Sequence, residues 1–230
     1  MSPDHLFRLV KKNERNEDME IVKRLGNLTS DNVFIQMVDD HDLEVMEGEI
    51  ETLRQLSGGE DWALVAVKVD DWNSDLTPWK ADPVFGKEGF GDGASVTLEY
   101  LLENVIPEFQ REGRRFYIAG YSLAGLFALW TAYETDVFEG AVAASPSVWY
   151  PGWTDYAEKH DFRAERAYLS LGDKESKTRN QVMAKVGDNI LRQEEIFRNS
   201  GVECKFEWNP GNHFRDADKR TAKGMAWMLK

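Results

Sequence analysis

The sequence predicts an α/β protein with a mostly parallel central sheet and helices on both of its faces. Three observations predict it. Short apolar, β-branched runs alternate with longer amphipathic runs along the chain, which implies crossover connections between parallel strands. The segment Arg115–Leu126 climbs from an apolar run into Gly-Tyr-Ser-Leu-Ala-Gly and passes at once into a helix-forming run, a strand–turn–helix signature. The 230 residues are 42% hydrophobic and contain no linker rich in Pro, Gly or Ser, which suits one domain over residues 1–230.

The apolar runs place strands at Val33–Val38, Trp62–Val69, Arg115–Ala119, Gly140–Ala144, Ala167–Leu171 and Val202–Trp208. Between them lie expected helices at Leu43–Leu56, Ser95–Arg111, Leu123–Thr135, Thr178–Asn199 and Asp216–Leu229. An antiparallel edge strand or hairpin is expected from Leu6–Val10 and Ile21–Leu25.

Composition excludes several roles. A net charge of −13 leaves no basic surplus for nucleic acid. Cys204 is the single cysteine, so no internal disulfide forms, and its strand-like surroundings read as a structural thiol. No stretch approaches the roughly 20 apolar residues of a membrane helix. The N-terminus, with Asp4, Arg8, Lys11 and Lys12, lacks an apolar leader, so a cytoplasmic location is expected. His41, in Asp39-Asp40-His41-Asp42, has no second clustered His or Cys and reads as a solvated loop. Neither a metal nor another cofactor is expected, and the composition leaves room for a homo-oligomer.

Ligands of parallel sheets sit beyond the carboxyl ends of the strands, which directs attention to the loops there. Ser122 tops the tight turn, where Gly120, Ala124 and Gly125 relieve crowding and the Leu123 N–H opens a helix toward a developing oxyanion. The loop Gly172–Lys177 offers Asp173 and Glu175, either of which could orient an imidazole; acids before a helix also serve its dipole. His213, in Asn212-His213-Phe214, follows a strand and precedes the last helix, as a general base or as a plain cap-region residue. Serine, acid and histidine arrive in the order that a nucleophile-elbow hydrolase uses. Two aromatic loops, holding Trp72 and Trp79 and then Trp149 and Tyr150, are expected to wall a pocket with Tyr121, although the same tryptophans would also pin the loops to the body.

The chain resembles the esterase branch of the α/β-hydrolases that includes esterase D, feruloyl esterases and enterochelin-type siderophore esterases. Gly-Tyr-Ser-Leu-Ala-Gly (120–125), Ser-Pro-Ser-Val-Trp-Tyr (145–150), the Gly-Asp-Lys-Glu loop and Gly-Asn-His-Phe (211–214) carry the resemblance, which runs from about Val33 onward. It implies an α/β-hydrolase fold and a serine esterase acting on a small-molecule ester through an acyl-enzyme on Ser122. It favours Glu175 as the acid, three residues beyond the strand-ending glycine, with Asp173 as the alternative. Many relatives carry His-Gly at the first oxyanion strand; here Asp39-Asp40 stands there, so the second oxyanion donor is an N–H at Asp39 or Asp40. No separate siderophore-binding or carbohydrate-binding domain is expected. The same triad would serve an acyltransferase or a peptidase, and the fold alone would serve a binding protein.

Overall fold

The structure, a computed structural model, describes residues 19–230; the strand expected at Leu6–Val10 lies outside them. Seven strands form one sheet in the order β1-β3-β2-β4-β5-β6-β7. β1 (Glu20–Gly26) pairs antiparallel with β3 (Ala63–Lys68), which gives the expected antiparallel edge. β2 (Asn32–Val38), β4 (Arg115–Tyr121), β5 (Phe138–Ala144), β6 (Arg166–Gly172) and β7 (Glu203–Asn209) continue parallel.

Side chains alternate between the two faces, as the pleat requires. Val33, Ile35 and Met37 of β2, with Phe116 and Ile118 of β4, face one apolar layer. α3 (Ala94–Tyr100, a π-helical turn at Leu101–Val105, then Ile106–Phe109), α4 (Ser122–Glu134), α5 (Trp153–Lys159) and α6 (Val186–Ser200) contribute to it. Phe34 and Val38, with Tyr117 and Ala119, face the other layer, built by α1 (Asp40–Ser57) and α7 (Ala217–Met228). A four-residue helix, α2 (Trp72–Asp75), lies within the first aromatic loop.

The helix expected at Thr178–Asn199 is shorter, opening with a 3₁₀ turn at Met183–Lys185 and continuing as α6. Asn180 explains the difference. Its side-chain oxygen accepts from the Val182 and Met183 N–H groups, and its amide donates to the Val84 carbonyl. Such side-chain bonds compete with helix and hold the segment as a loop. α2 and α5 fall where loops were expected. Asp71 caps α2 through a bond from the Ser74 N–H, and Gly152, at φ 84°, turns the chain into α5.

The topology positions the site. After β3 the chain crosses to the opposite side of β2 to form β4. A crevice opens at such a reversal, beyond the carboxyl ends of the two diverging strands. Here it lies between Val38 and Tyr121, with Asp39 and Ser122 as the next residues.

Candidate active site

Ser122 occupies a left-handed backbone conformation, φ 58°, at the junction of β4 and α4. Backbone strain of this kind persists where the surroundings hold it. A Cβ on Gly120 would lie 2.3 Å from the Ala124 carbonyl carbon, so only glycine lets α4 fold back this closely on β4. No side chain caps α4, and the Leu123 N–H stands in its first turn beside the serine.

Three of the sequence-predicted residues meet. His213 Nε2 lies 3.0 Å from Ser122 Oγ, and His213 Nδ1 lies 2.7 Å from Glu175 Oε2. Asp173 turns elsewhere: its Oδ1 accepts from the Gly211 N–H at 2.7 Å, and its own N–H donates to the Asn209 carbonyl. Asp173 therefore ties the loop after β6 to the loop after β7, and Glu175 faces the imidazole.

Glu175 is 4% exposed at its side chain, and its second oxygen, Oε1, accepts three further bonds. They come from the Gly172 N–H at 2.7 Å, the Ser145 hydroxyl at 2.8 Å and Arg220 Nη1 at 2.9 Å. Burial opposes its negative charge, but the hydrogen bond and charge of His213, with the Gly172 and Ser145 donors, hold the carboxyl below its ordinary range.

Arg220 did not emerge from the sequence as a site residue. Its guanidinium is buried on α7 and donates to the Tyr121 and Ser145 hydroxyls, Glu175, and the Pro210 and Asn212 carbonyls. Tyr121, expected against substrate, also braces His213, because its hydroxyl donates to the His213 carbonyl at 2.6 Å. Burial pushes that phenol up to about 12, so it stays a neutral donor. Ser147 meets the site as well, with its Oγ 3.4 Å from that of Ser122 and its N–H on the Ser122 carbonyl.

The two candidate oxyanion residues differ. Asp39 caps α1 in a reciprocal box with Asp42: Asp39 Oδ1 accepts from the Asp42 N–H, and Asp42 Oδ2 accepts from the Asp39 N–H at 3.2 Å. The Asp39 N–H is thus engaged. Asp40 is the first residue of α1, where N–H groups lack intrahelical partners, and its carboxylate pairs with Lys68.

Two clefts of about 220 Å³ each flank His213 and Phe214, which form the wall between them. The first is lined by Ser122, Tyr121, Trp72, Asp39, His41 and Asp42. The second is lined by Trp149, Met183 and Val186, with Lys174 and Lys177 at its edge. Trp72 and Trp149 thus reach a cleft. Trp79 and Tyr150, also expected there, line neither. Trp79 Nε1 donates to the Pro151 carbonyl and the Tyr150 hydroxyl donates to the Trp79 carbonyl, so each fastens one aromatic loop to the other.

His41 is exposed on the rim, with Nδ1 3.7 Å from Glu44. Among the described residues, no three His, Cys, Asp or Glu side chains group as metal ligands, and no helix is long and apolar enough to cross a membrane. Burial pushes the Cys204 thiol up to about 12, and it remains a neutral thiol in β7.

The fold has solved counterparts. A siderophore hydrolase from Aspergillus nidulans matches over 88% of this chain and 84% of its own, at 20% identity and a TM-score of 0.66. An IroE-like serine hydrolase from Shewanella oneidensis matches over 92% and 74%, at 16% identity and a TM-score of 0.69. A ferulic acid esterase matches over 87% and 85%, at 14% identity and a TM-score of 0.61. No curated protein sequence matches the chain. The sheet, its two helical layers and these counterparts define an α/β-hydrolase. Residues 57–203 match the family described as "Putative esterase"; the chain belongs to that family and is a serine ester hydrolase.

Proposed function

We propose that Ser122, His213 and Glu175 are the catalytic triad of this esterase and act on a small-molecule carboxylic ester. The observation that carries the reading is the imidazole bonded on one side to the serine hydroxyl and on the other to a buried carboxylate. His213 Nε2 takes the proton as Ser122 Oγ attacks the acyl carbon, then returns it to the departing alcohol oxygen. Water, deprotonated by the same nitrogen, releases the acid from the acyl-serine. Glu175 keeps Nδ1 protonated and stabilises the imidazolium; its own lowered acidity range keeps it ionised throughout.

The Leu123 N–H is one oxyanion donor in this reading. The second is the Asp40 N–H, because Asp42 engages its neighbour at Asp39. Each such donor typically contributes about 10²–10³ in rate. The siderophore hydrolase and ferulic acid esterase counterparts support an ester of an aromatic or siderophore-like compound, since the clefts beside Ser122 present Trp72 and Trp149.

Ser122→Ala should lower kcat on aryl acetates by roughly 10⁴-fold or more and abolish labelling by a fluorophosphonate. A Ser122→Ala protein that keeps the wild-type rate, or still takes the label, sinks the assignment.

A further inference from the structure

The second cleft has a charge character at odds with the molecule around it. The protein carries a net −13, and the first cleft is edged by Asp39 and Asp42. The second cleft is edged by Lys174 and Lys177, and the same connection between β6 and α6 also carries Arg179 and Lys185. Among the described residues, none of these four side chains meets a carboxylate in an ion pair. Several cations on adjoining elements are paired: Arg166 with Glu203, Arg192 with Glu158, Arg198 with Glu194 and Lys223 with Glu207.

The nearest acids in sequence are already committed. Glu175 is held by His213 and Arg220, and Asp173 by the Gly211 N–H. Two lysines free of ion pairs lining a cleft with Trp149, Met183 and Val186, on an acidic protein, are a complement for an anion with an apolar body.

We propose that the second cleft holds the alcohol half of the ester, and that this half is an aromatic or apolar alcohol or phenol bearing an anionic group. The proposal rests on the triad reading above. In that reading the acyl carbonyl turns toward the oxyanion donors at Leu123 and Asp40, whose chain neighbours Ser122 and Asp39 line the first cleft. The departing oxygen must sit at His213 Nε2, and His213 is shared by both clefts. The alcohol beyond that oxygen then enters the second cleft, its body against Trp149, Met183 and Val186 and its charge between Lys174 and Lys177. An acid formed on the acyl side leaves past Asp39 and Asp42, which repel it.

The test compares 3-acetoxybenzoate with its neutral methyl ester, methyl 3-acetoxybenzoate, by product release. The ratio of their kcat/KM values, anionic over neutral, should be about fivefold higher in the wild type than in Lys174→Gln/Lys177→Gln, the expected size for two exposed charge contacts. In the wild type the ratio should also fall as salt is raised to about 0.5 M, which needs no variant at all. A ratio indifferent to both the lysines and salt overturns the subsite while leaving Ser122-dependent hydrolysis intact. If instead neither ester is cleaved above the Ser122→Ala background, the triad reading itself falls.

Discussion

Arg220 brings one guanidinium to five oxygen partners at the base of the site, and through them it holds Glu175, Tyr121 and the His213 loop in one network. Arg220 and Glu175 are 1% and 4% exposed, so removing one member leaves a buried charge whose stranding costs about 3–5 kcal/mol. Arg220→Met should therefore lower stability by that order. Thermal unfolding checks it; a melting temperature equal to the wild type's would sink the buried-pair reading. Ser122 and His213 were legible in the sequence because each sits in a local turn pattern whose chemistry is written within a few residues; the loop Gly172–Lys177 offered two acids, and only the resemblance favoured Glu175 over Asp173. Arg220 was not legible, because a cation in an amphipathic helix ordinarily faces water and only the fold decides which side of α7 is covered. Trp79 and Tyr150 failed for the same reason: an aromatic residue in a loop carries no sign of the direction in which it points.

Among the elements, α1 begins with an electrostatic conflict. Its capping box holds Asp42 against Asp39, and burial first, then the Asp39 charge, pushes the Asp42 carboxyl up to about 6. A carboxyl raised above its unfolded value favours the protonated folded state. Its contribution therefore improves as pH falls from about 6 toward 4 and is a penalty at neutral pH. Asp42→Asn keeps an oxygen for the Asp39 N–H and removes the charge. It should raise stability by about 1–2 kcal/mol at pH 7, with the gain vanishing near pH 4. Paired melting curves at the two pH values would show it, and equal gains at both would refute the electrostatic cause. The strands were legible because a sheet buried on both faces leaves apolar runs, as in the wholly buried Ala63–Val67 of β3. The start of α6 was not, since Asn180 captures the N–H groups that a helix would have used.

For the whole molecule, stability and chemistry are held at different places in the sheet. Ser122, Glu175 and His213 follow the ends of β4, β6 and β7, whereas β1 closes the far edge on β3. At that edge Gly26 has φ 73°, and a Cβ there would lie 2.5 Å from Trp62, which is buried and bonded to Gly59 and Ser57. Gly26→Val should cost about 2 kcal/mol or more through strain and overpacking, yet leave kcat unchanged well below the melting temperature. A matching loss of kcat in the folded protein would show that the two ends are coupled. The order of strands, and with it the crevice between β2 and β4, was beyond sequence reasoning, because strand order is set by pairings between segments far apart in the chain. The wall between the two clefts has a further consequence. His213 and Phe214 are consecutive residues of one short loop, so any shift of that loop that widens a cleft also moves the imidazole away from Ser122. Enlarging this enzyme's repertoire, in nature or at the bench, has to proceed through Trp72 on one side and Met183 on the other, where bulk can be exchanged without detuning the proton transfer.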